Sequence, residues 1–316
     1  MRAGFQSRRR QRGTTLILTM LMMAVFLVPL VGLAIDGTML DLPDTPENAR
    51  AFGRPTTDRG AQHGAFPQAR LIWLVEVGTH MLCDLVIRPY RGGEPPAARR
   101  LFRSITAGML VMWDRGLHSY TIIQRAQAAG AEVLGRVKTN LVLPLVEPLA
   151  DGSYLTWVYP SVQARAQQRD GILLRVIEYA IEDPARPTRE ARYRLLTSLL
   201  DPRRAPAATL AAEYHQRWEI EGTFDELKVH QVDRRPAPHV RSGRPREVVQ
   251  EIYGLALAHL AIRLTIFEAA TRAGLDPDRI SFTGTLRILR RAIGRFQRGL
   301  ASAIPPPLCS SGSCSR

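Results

Sequence analysis

Two apolar runs in this sequence each end in an aspartate followed at once by turn residues: "GLAIDGT", with Asp36, and "MLVMWDRG", with Asp114. A short apolar run bounded by a turn reads as a strand buried on both faces of a sheet. A carboxylate at the end of such a strand is costly unless a cation or a set of donors meets it. Taken alone, Asp36 fits the end of a membrane anchor, the polar tip of a core strand, or half of a metal site.

The remainder of the chain reads as α/β. Thr45 to Gln68 is rich in Gly, Pro and Arg without a clear period and is expected to be a long loop. "RLIWLVEV" and "HMLCDLVIRP", separated by Gly78-Thr79, predict a β-hairpin. "PPAARRLFRSI" predicts a short helix with proline at its start, and "SYTIIQRAQAAG" a helix closed by Gly130. Between these lies the strand ending in Asp114, and "AEVLGRVKTN" supplies another strand. From 140 to 200 the pattern changes to the β-type runs "DGSYLTWVYP", "GILLRVIEYAIE" and "RYRLLTSLLD", an antiparallel insertion with Trp157 as a hairpin core residue. One long helix is expected from Pro206 past Lys228. Two more are expected at about 247–273 and 283–296, with a disordered tail after them.

The segment "AAEYHQRWEIEGTFDELKVHQ" holds Tyr214, Arg217, Glu221 and Lys228 in the spacing Y-x2-R-x3-E-x6-K. On an uninterrupted helix, at about 100° per residue, these four share one side, with Ile220, Phe224 and Leu227 as an adjacent apolar stripe. A carboxylate among an arginine, a lysine and a phenol suits a metal-and-phosphate site. A salt-bridged surface helix is the plain structural alternative. His215 and Trp218 read as packing or helix-face residues rather than acid/base groups, and Glu76 as structural. His63, His80 and His118 show no metal-ligand spacing. A glutamate packed near both aspartates would complete three hard oxygen ligands, a set that suits two Mg2+ or Mn2+ ions and in-line attack at a phosphodiester.

These features together resemble the insertion-sequence-four family of DDE transposases. The resemblance rests on Y-x2-R-x3-E-x6-K, the upstream "DGT" and "DRG", and "IDGTMLDLPDTPENARAFGRP", "GAFPQARLIWLVEVGTH" and "YRLLTSLLDP", across roughly Ala34 to Phe296. It implies an RNase H-like catalytic fold, a mixed sheet flanked by helices, with a β-rich insertion before the glutamate helix. The separation of 107 residues between Asp114 and Glu221 leaves room for that insertion. It further implies a catalytic and metal-binding triad of Asp36, Asp114 and Glu221, with Tyr214, Arg217 and Lys228 on DNA phosphates. Tyr193, in "RYRLLTSLL", takes the place of an aromatic that stacks on a flipped base; packing on a neighbouring strand is the alternative. The implied chemistry is cut-and-paste transposition of an insertion sequence on double-stranded DNA by a homodimer.

Composition agrees with a DNA partner without proving one. The formal charge is +14, a field that attracts polyanions. Arg241 and Arg244, in a run with Arg234, Arg235 and Arg246, fit backbone contact, or equally a solvated basic loop. The three cysteines, Cys83, Cys309 and Cys314, have neither zinc nor disulfide spacing, which fits a reducing compartment.

The N-terminus conflicts with the rest. "QSRRRQRG" is basic, and the 22 residues from Thr14 to Ile35 carry no charge. This reads as a membrane anchor, and residues 1–40 resemble the anchors of TadE/TadG-type pilus-assembly proteins. Family members carry a helical end-recognition domain before the first aspartate, whereas only 35 residues precede Asp36 here. The expectation is an N-terminally truncated member, with its own activity open. The expected units are 1–31 (an atypical apolar segment), 32–139 and 206–298 (the two parts of the RNase H-like core), 140–205 (the insertion) and 299–316 (the tail). A cytoplasmic, nucleoid-associated protein is expected; the alternative is the inner membrane, reached through residues 14–35. A membrane-anchored pilus-assembly-like fusion and a non-transposing nuclease of the same fold are the competing functions.

Overall fold

The structure is a computed structural model that describes residues 30–55, 64–180, 192–232 and 238–303. The basic flank and most of the apolar run before Leu30, together with His63, Arg234, Arg235, Cys309 and Cys314, lie outside the described residues.

Strand β1 (Val31–Asp41) begins inside the apolar run, and Leu33, Ala34 and Ile35 are fully buried in the sheet. The last five residues of the expected membrane segment are therefore strand. Helix α1 (Pro46–Phe52) follows, where a loop was expected. Thr45 caps it by accepting from the Asn48 amide, Pro46 opens it, and Asn48 buries its side chain; this N-terminal chemistry outweighs the missing periodicity.

The predicted hairpin is β2 (Gln68–Glu76) and β3 (Leu82–Pro89), paired antiparallel. Its turn is shaped by Glu76, whose carboxylate accepts from the Gly78 and Thr79 amides. Then come α2 (Glu94–Ala98), a 3-10 turn at Leu101–Ser104, β4 (Met109–Trp113), α3 (Tyr120–Ala128) and β5 (Glu132–Arg136). Gly130 ends α3 at φ +73°, a conformation that glycine adopts without a Cβ penalty.

The insertion supplies β6 (Glu147–Pro148), β7 (Tyr154–Val158), the short helix α4 (Val162–Ala166), β8 (Ile172–Tyr179) and β9 (Tyr193–Thr197). Trp157 lies on its outer surface, 40% exposed, not in a hairpin core. The insertion is not a separate layer. The nine strands among the described residues form one sheet in the order β3-β2-β1-β4-β5-β9-β8-β7-β6, joined where β9 pairs antiparallel with β5. Within it, β1, β4 and β5 run parallel and β2 antiparallel, so the first five strands have the order and directions of an RNase H-like core.

Side-chain alternation divides the sheet into two faces. Leu33, Ile35, Val111, Trp113 and Val133 pack on the face covered by α2 and α3. Ala34, Met112 and Leu134 pack on the opposite face, with Leu210, Tyr214, Ile220 and Phe224. Those four belong to the expected long helix, which is broken into α5 (Ala207–Gln216), α6 (Glu219–Asp225) and a π-helical turn, Glu226–Gln231.

Helices α7 (Pro245–Ala273) and α8 (Phe282–Ala303) are the last of the described elements. Residues 299–303, expected in the disordered tail, continue α8. Among the described residues α7 is the one helix long and apolar enough to cross a membrane. Its buried face also carries His259 and Arg263, and it packs on the domain through Val248, Ile252, Ala256 and Ile262. Its other face is exposed, with Tyr253, Leu257, Leu264 and Phe267 on the surface.

Candidate active site

Ile35 and Trp113 are partners across the parallel strands β1 and β4, and Asp36 and Asp114 are the next residue on each. Asp36 has the parity of Ala34, and Asp114 that of Met112, so both carboxylates belong to the face covered by α5 and α6. β4 ends here, whereas β1 runs on to Asp41 paired only with β2. The two aspartates therefore stand at the carboxyl end of a parallel strand pair, where open α/β sheets bind ligands.

Local chemistry fixes each carboxylate. Asp36 Oδ1 accepts from the Gly37 amide at 2.7 Å, and Oδ2 accepts from Arg217 Nη1 at 3.1 Å. Gly37 sits close under its neighbours: a Cβ would come within 2.8 Å of Ile72 Cδ1 and 3.0 Å of Glu94 Oε1, and those side-chain ends would have to shift. Asp114 Oδ1 accepts from the amides of Gly116 and Leu117 at 2.9 and 3.2 Å, the local turn promised by "DRG". Burial raises the pKa of Asp36 to about 6, assisted by the negative charges of Asp114 and Glu94 and opposed by the Gly37 hydrogen bond and Arg217. Glu94, on α2 and bridged to Arg70, is a neighbour that no motif announced.

The four signature residues are not in one row. Between α5 and α6 the backbone tightens to i→i−3 bonds, from Arg217 N to Tyr214 O, Trp218 N to His215 O, Ile220 N to Arg217 O, and Glu221 N to Trp218 O. Tyr214 and Arg217, 2% and 4% exposed, turn into the sheet. The Tyr214 hydroxyl donates to the Trp113 carbonyl at 3.4 Å, so it grips the peptide just before Asp114. Glu221 emerges exposed on α6, whose neighbouring Ile220 and Phe224 are buried against the sheet face that carries the aspartates. Lys228 lies farther on, inside the π-helical turn. Burial lowers its pKa, and Asp225 and Asp41 oppose that shift. Asp41 is five residues beyond Asp36, about 16 Å along an extended strand. Lys228 thus sits by the far end of β1, contrary to the single-face expectation.

His239 is also at that end, its Nδ1 3.1 Å from the Asp41 amide. So is the basic loop, bonded to α1 where Thr45 donates to the Gly243 carbonyl and Asn48 to that of Ser242. Arg241 and Arg244 are exposed there, and Arg244 lies 3.6 Å from Glu247. Tyr193 is on the opposite side. Its ring stacks on Tyr179 at 5.5 Å, and the Arg136 guanidinium lies 4.2 Å from its centroid. With β9 between β8 and β5, the ring is flanked from both neighbouring strands. Trp218, expected to pack or to lie on the helix face, is 46% exposed beside Arg217, whose guanidinium is 5.0 Å from the indole. His215 packs edge-on against Tyr179.

His80, Glu219 and Asp278 bring one ligand atom each within 4.8 Å of one another, a grouping that spacing did not reveal. Burial opposes a charge on His80, while Glu219 and Glu226 favour it and would hold its pKa near 9. However, Arg263 Nη2 lies 2.6 Å from His80 Nδ1, and a guanidinium can only donate. A protonated Nδ1 would set two N–H groups face to face, so the geometry requires a neutral ring with its proton on Nε2. Nε2 then points a proton at Glu219 and Asp278, 3.4 and 3.5 Å away, and has no lone pair for a metal.

Residues 29–261 match the family described as Transposase DDE domain. Transposase InsG for insertion sequence element IS4, from Escherichia coli (strain K12), is 28% identical over 283 residues, which cover 86% of this chain and 61% of that protein. Putative transposase InsZ from the same strain is 31% identical over 90 residues, 28% of this chain and 30% of that protein. This chain therefore spans about three fifths of the length of InsG. A cryo-EM structure of the piggyBac transposase synaptic complex with hairpin DNA aligns with 90% of this chain and 59% of that chain, at 15% identity and a TM-score of 0.46.

Proposed function

The chain belongs to the Transposase DDE domain family, and we propose that its site cleaves and joins DNA phosphodiesters in the cut-and-paste movement of an insertion sequence. The observation that carries this reading is the placement of Asp36 beside Asp114, on the sheet face that packs against the helix bearing Glu221.

The donor set fits divalent cations. Burial, and to a lesser degree the charge of Asp114, raises the energy of the Asp36 carboxylate, and a cation would offset both. Asp36, Asp114 and Glu221 would hold Mg2+ or Mn2+, two ions in the full site, and the bound metal would activate a water or 3′-hydroxyl and stabilise the leaving oxygen.

The other side chains position and neutralise. Arg217 holds Asp36 in place and keeps a positive charge beside the carboxylates where phosphate would enter. Tyr214 fixes the end of β4, and so acts on Asp114 through the backbone. Trp218 presents an exposed ring suited to stacking on an unpaired base, whereas the ring of Tyr193 is already flanked by Tyr179 and Arg136. Lys228, Arg241 and Arg244 form a cationic end of the cleft for the DNA backbone. Cleavage at two element ends calls for two copies, so the working form is a homodimer on DNA, in the cytoplasm with the nucleoid.

The test replaces Asp36 or Asp114 with Asn, or Glu221 with Gln, and measures Mg2+-dependent nicking of a DNA fragment carrying the element end. Each variant should fold, bind DNA and fail to cleave. Undiminished cleavage by any of the three removes that residue from the site.

A further inference from the structure

Helix α6 is seven residues long and has no side-chain N-cap, too short to hold its own orientation. Both of its ends are nevertheless tied to one buried pair. At the start, Glu219 Oε2 is 3.4 Å from His80 Nε2. Just past the end, Glu226 accepts from Arg263 Nε and from His259 Nε2, each at 2.9 Å, and its other oxygen meets Arg263 Nη2. Arg263 Nη2 also donates to His80 Nδ1 at 2.6 Å, which closes the circuit. The members come from three places: the β2–β3 turn, helix α7, and the two ends of α6.

We propose that Glu226, Arg263 and His80 are positioning residues that set the tilt of α6 and thereby deliver Glu221 to the cation site. The inference rests on the reading of Glu221 as a metal ligand. Its physical basis is the depth of the network. The side chains of Glu226, Arg263, His80 and His259 are 11%, 4%, 7% and 0% exposed. Stability alone does not require such an arrangement, since apolar side chains of similar volume stabilise a core as well as a buried ion pair does. What buried, directional hydrogen bonds add is a restricted geometry. Ile220 and Phe224 press α6 onto the sheet but leave it free to slide or rotate, because apolar contact is not directional. The hydrogen bonds of Glu226 past its end restrict that freedom, and Glu219 lies against His80 at its start. The backbone also widens to π-helix from Glu226 onward, the residue at which the tether attaches.

The experiment compares Glu226→Gln, His80→Gln and Glu221→Ala with the unsubstituted chain, reading melting temperature, the Mg2+ concentration for half-maximal DNA cleavage, and the rate at saturating Mg2+. Glu226→Gln and His80→Gln should each raise the half-maximal Mg2+ concentration by about tenfold, the effect typical of a lost outer partner of a metal ligand. The rate at saturation should be largely retained, and Mn2+ should narrow the gap. A lower melting temperature with an unchanged Mg2+ requirement, in whichever of the two variants folds, overturns the proposal and leaves the network a purely structural one. If neither folds, the network serves folding, and the proposal falls. Glu221→Ala separates the two readings: if it cleaves with an unaltered Mg2+ requirement, Glu221 is not a ligand, and the proposed function is at fault along with the inference drawn from it.

Discussion

Arg217 Nη1 and Asp36 Oδ2 lie 3.1 Å apart although 181 residues separate them in the chain. The pair joins the strand of the first carboxylate to the junction of the two helices that cover it. Arg217 is almost wholly buried, so removing it leaves Asp36 with no counter-charge in a desolvated setting. Arg217→Ala should destabilise the metal-free protein by about 3 kcal/mol, the usual cost of breaking a buried pair on one side. Urea titration with and without Mg2+ checks this, and added cation should restore part of the loss.

The raised pKa of Asp36, about 6, fixes the sign of a pH effect. The folded chain keeps a proton that an unfolded aspartate releases near pH 4. Asp36 therefore costs metal-free stability increasingly as pH rises from about 4 through 6. A cation must displace the same proton. Mg2+ affinity measured by calorimetry should climb with pH up to about 6 and level off above it, with proton release on binding seen only in the lower range. Asp114→Asn, by removing a neighbouring negative charge, should shift the bend to lower pH.

Gly135 is where Trp113 lies. A Cβ there would come 2.1 Å from Trp113 Cε2, and the indole is fully buried. Gly135→Ala must push Trp113, whose next residue is Asp114. The expected outcome is a loss of about 1–3 kcal/mol from overpacking together with reduced cleavage. Gly254→Ala on α7 is the matched control, since nothing lies within 4 Å of its Cβ position; it should stabilise by roughly 0.5–1 kcal/mol and leave cleavage unchanged. Thermal melts and nicking assays on both variants decide.

Much of this could be read from the sequence because it depends on local signals. The turn after Asp114, the hairpin around Gly78 and the cap at Gly130 are short-range chemistry; the turn expected after Asp36 is absent, because β1 runs on to Asp41 paired with β2. The break of the long helix was hidden because Gln216, Arg217 and Trp218 include no Pro or Gly to interrupt the period; tertiary bonds from Arg217 to Asp36 and from Tyr214 to Trp113 impose it. The scatter of the signature residues follows from that break, and so does the displacement of Lys228 toward Asp41. His80 and Arg263 meet across 183 residues, and Glu226 and Arg263 across 37, distances no spacing rule spans. Helix α1 was the reverse case, a short-range signal in "DTPEN" that the surrounding Gly, Pro and Arg concealed.

Exposure separates the two aromatic candidates. Tyr193→Ala strips a ring stacked on Tyr179 and Arg136 and should cost about 1 kcal/mol or more of stability with little change in cleavage per folded molecule. Trp218→Ala should leave the melting temperature nearly unchanged and weaken binding to DNA with an unpaired base by about 1–3 kcal/mol. Fluorescence anisotropy on paired and unpaired substrates distinguishes them.

The pairing of β5 with β9 also sets an order of events during synthesis. Leu134, Gly135 and Arg136 find their partners only at Thr197, Leu196 and Leu195, some sixty residues later in the chain. A nascent chain emerging from the ribosome presents Asp36 and Asp114 early, on strands still lacking the far half of their sheet, and Glu221 after that. An incomplete polypeptide therefore carries two of the three carboxylates on an unfinished lamina with β5 as a raw edge. The proposed chemistry would have to wait for the late segment, and until then that edge is the place where a stalled chain is most exposed to mispairing.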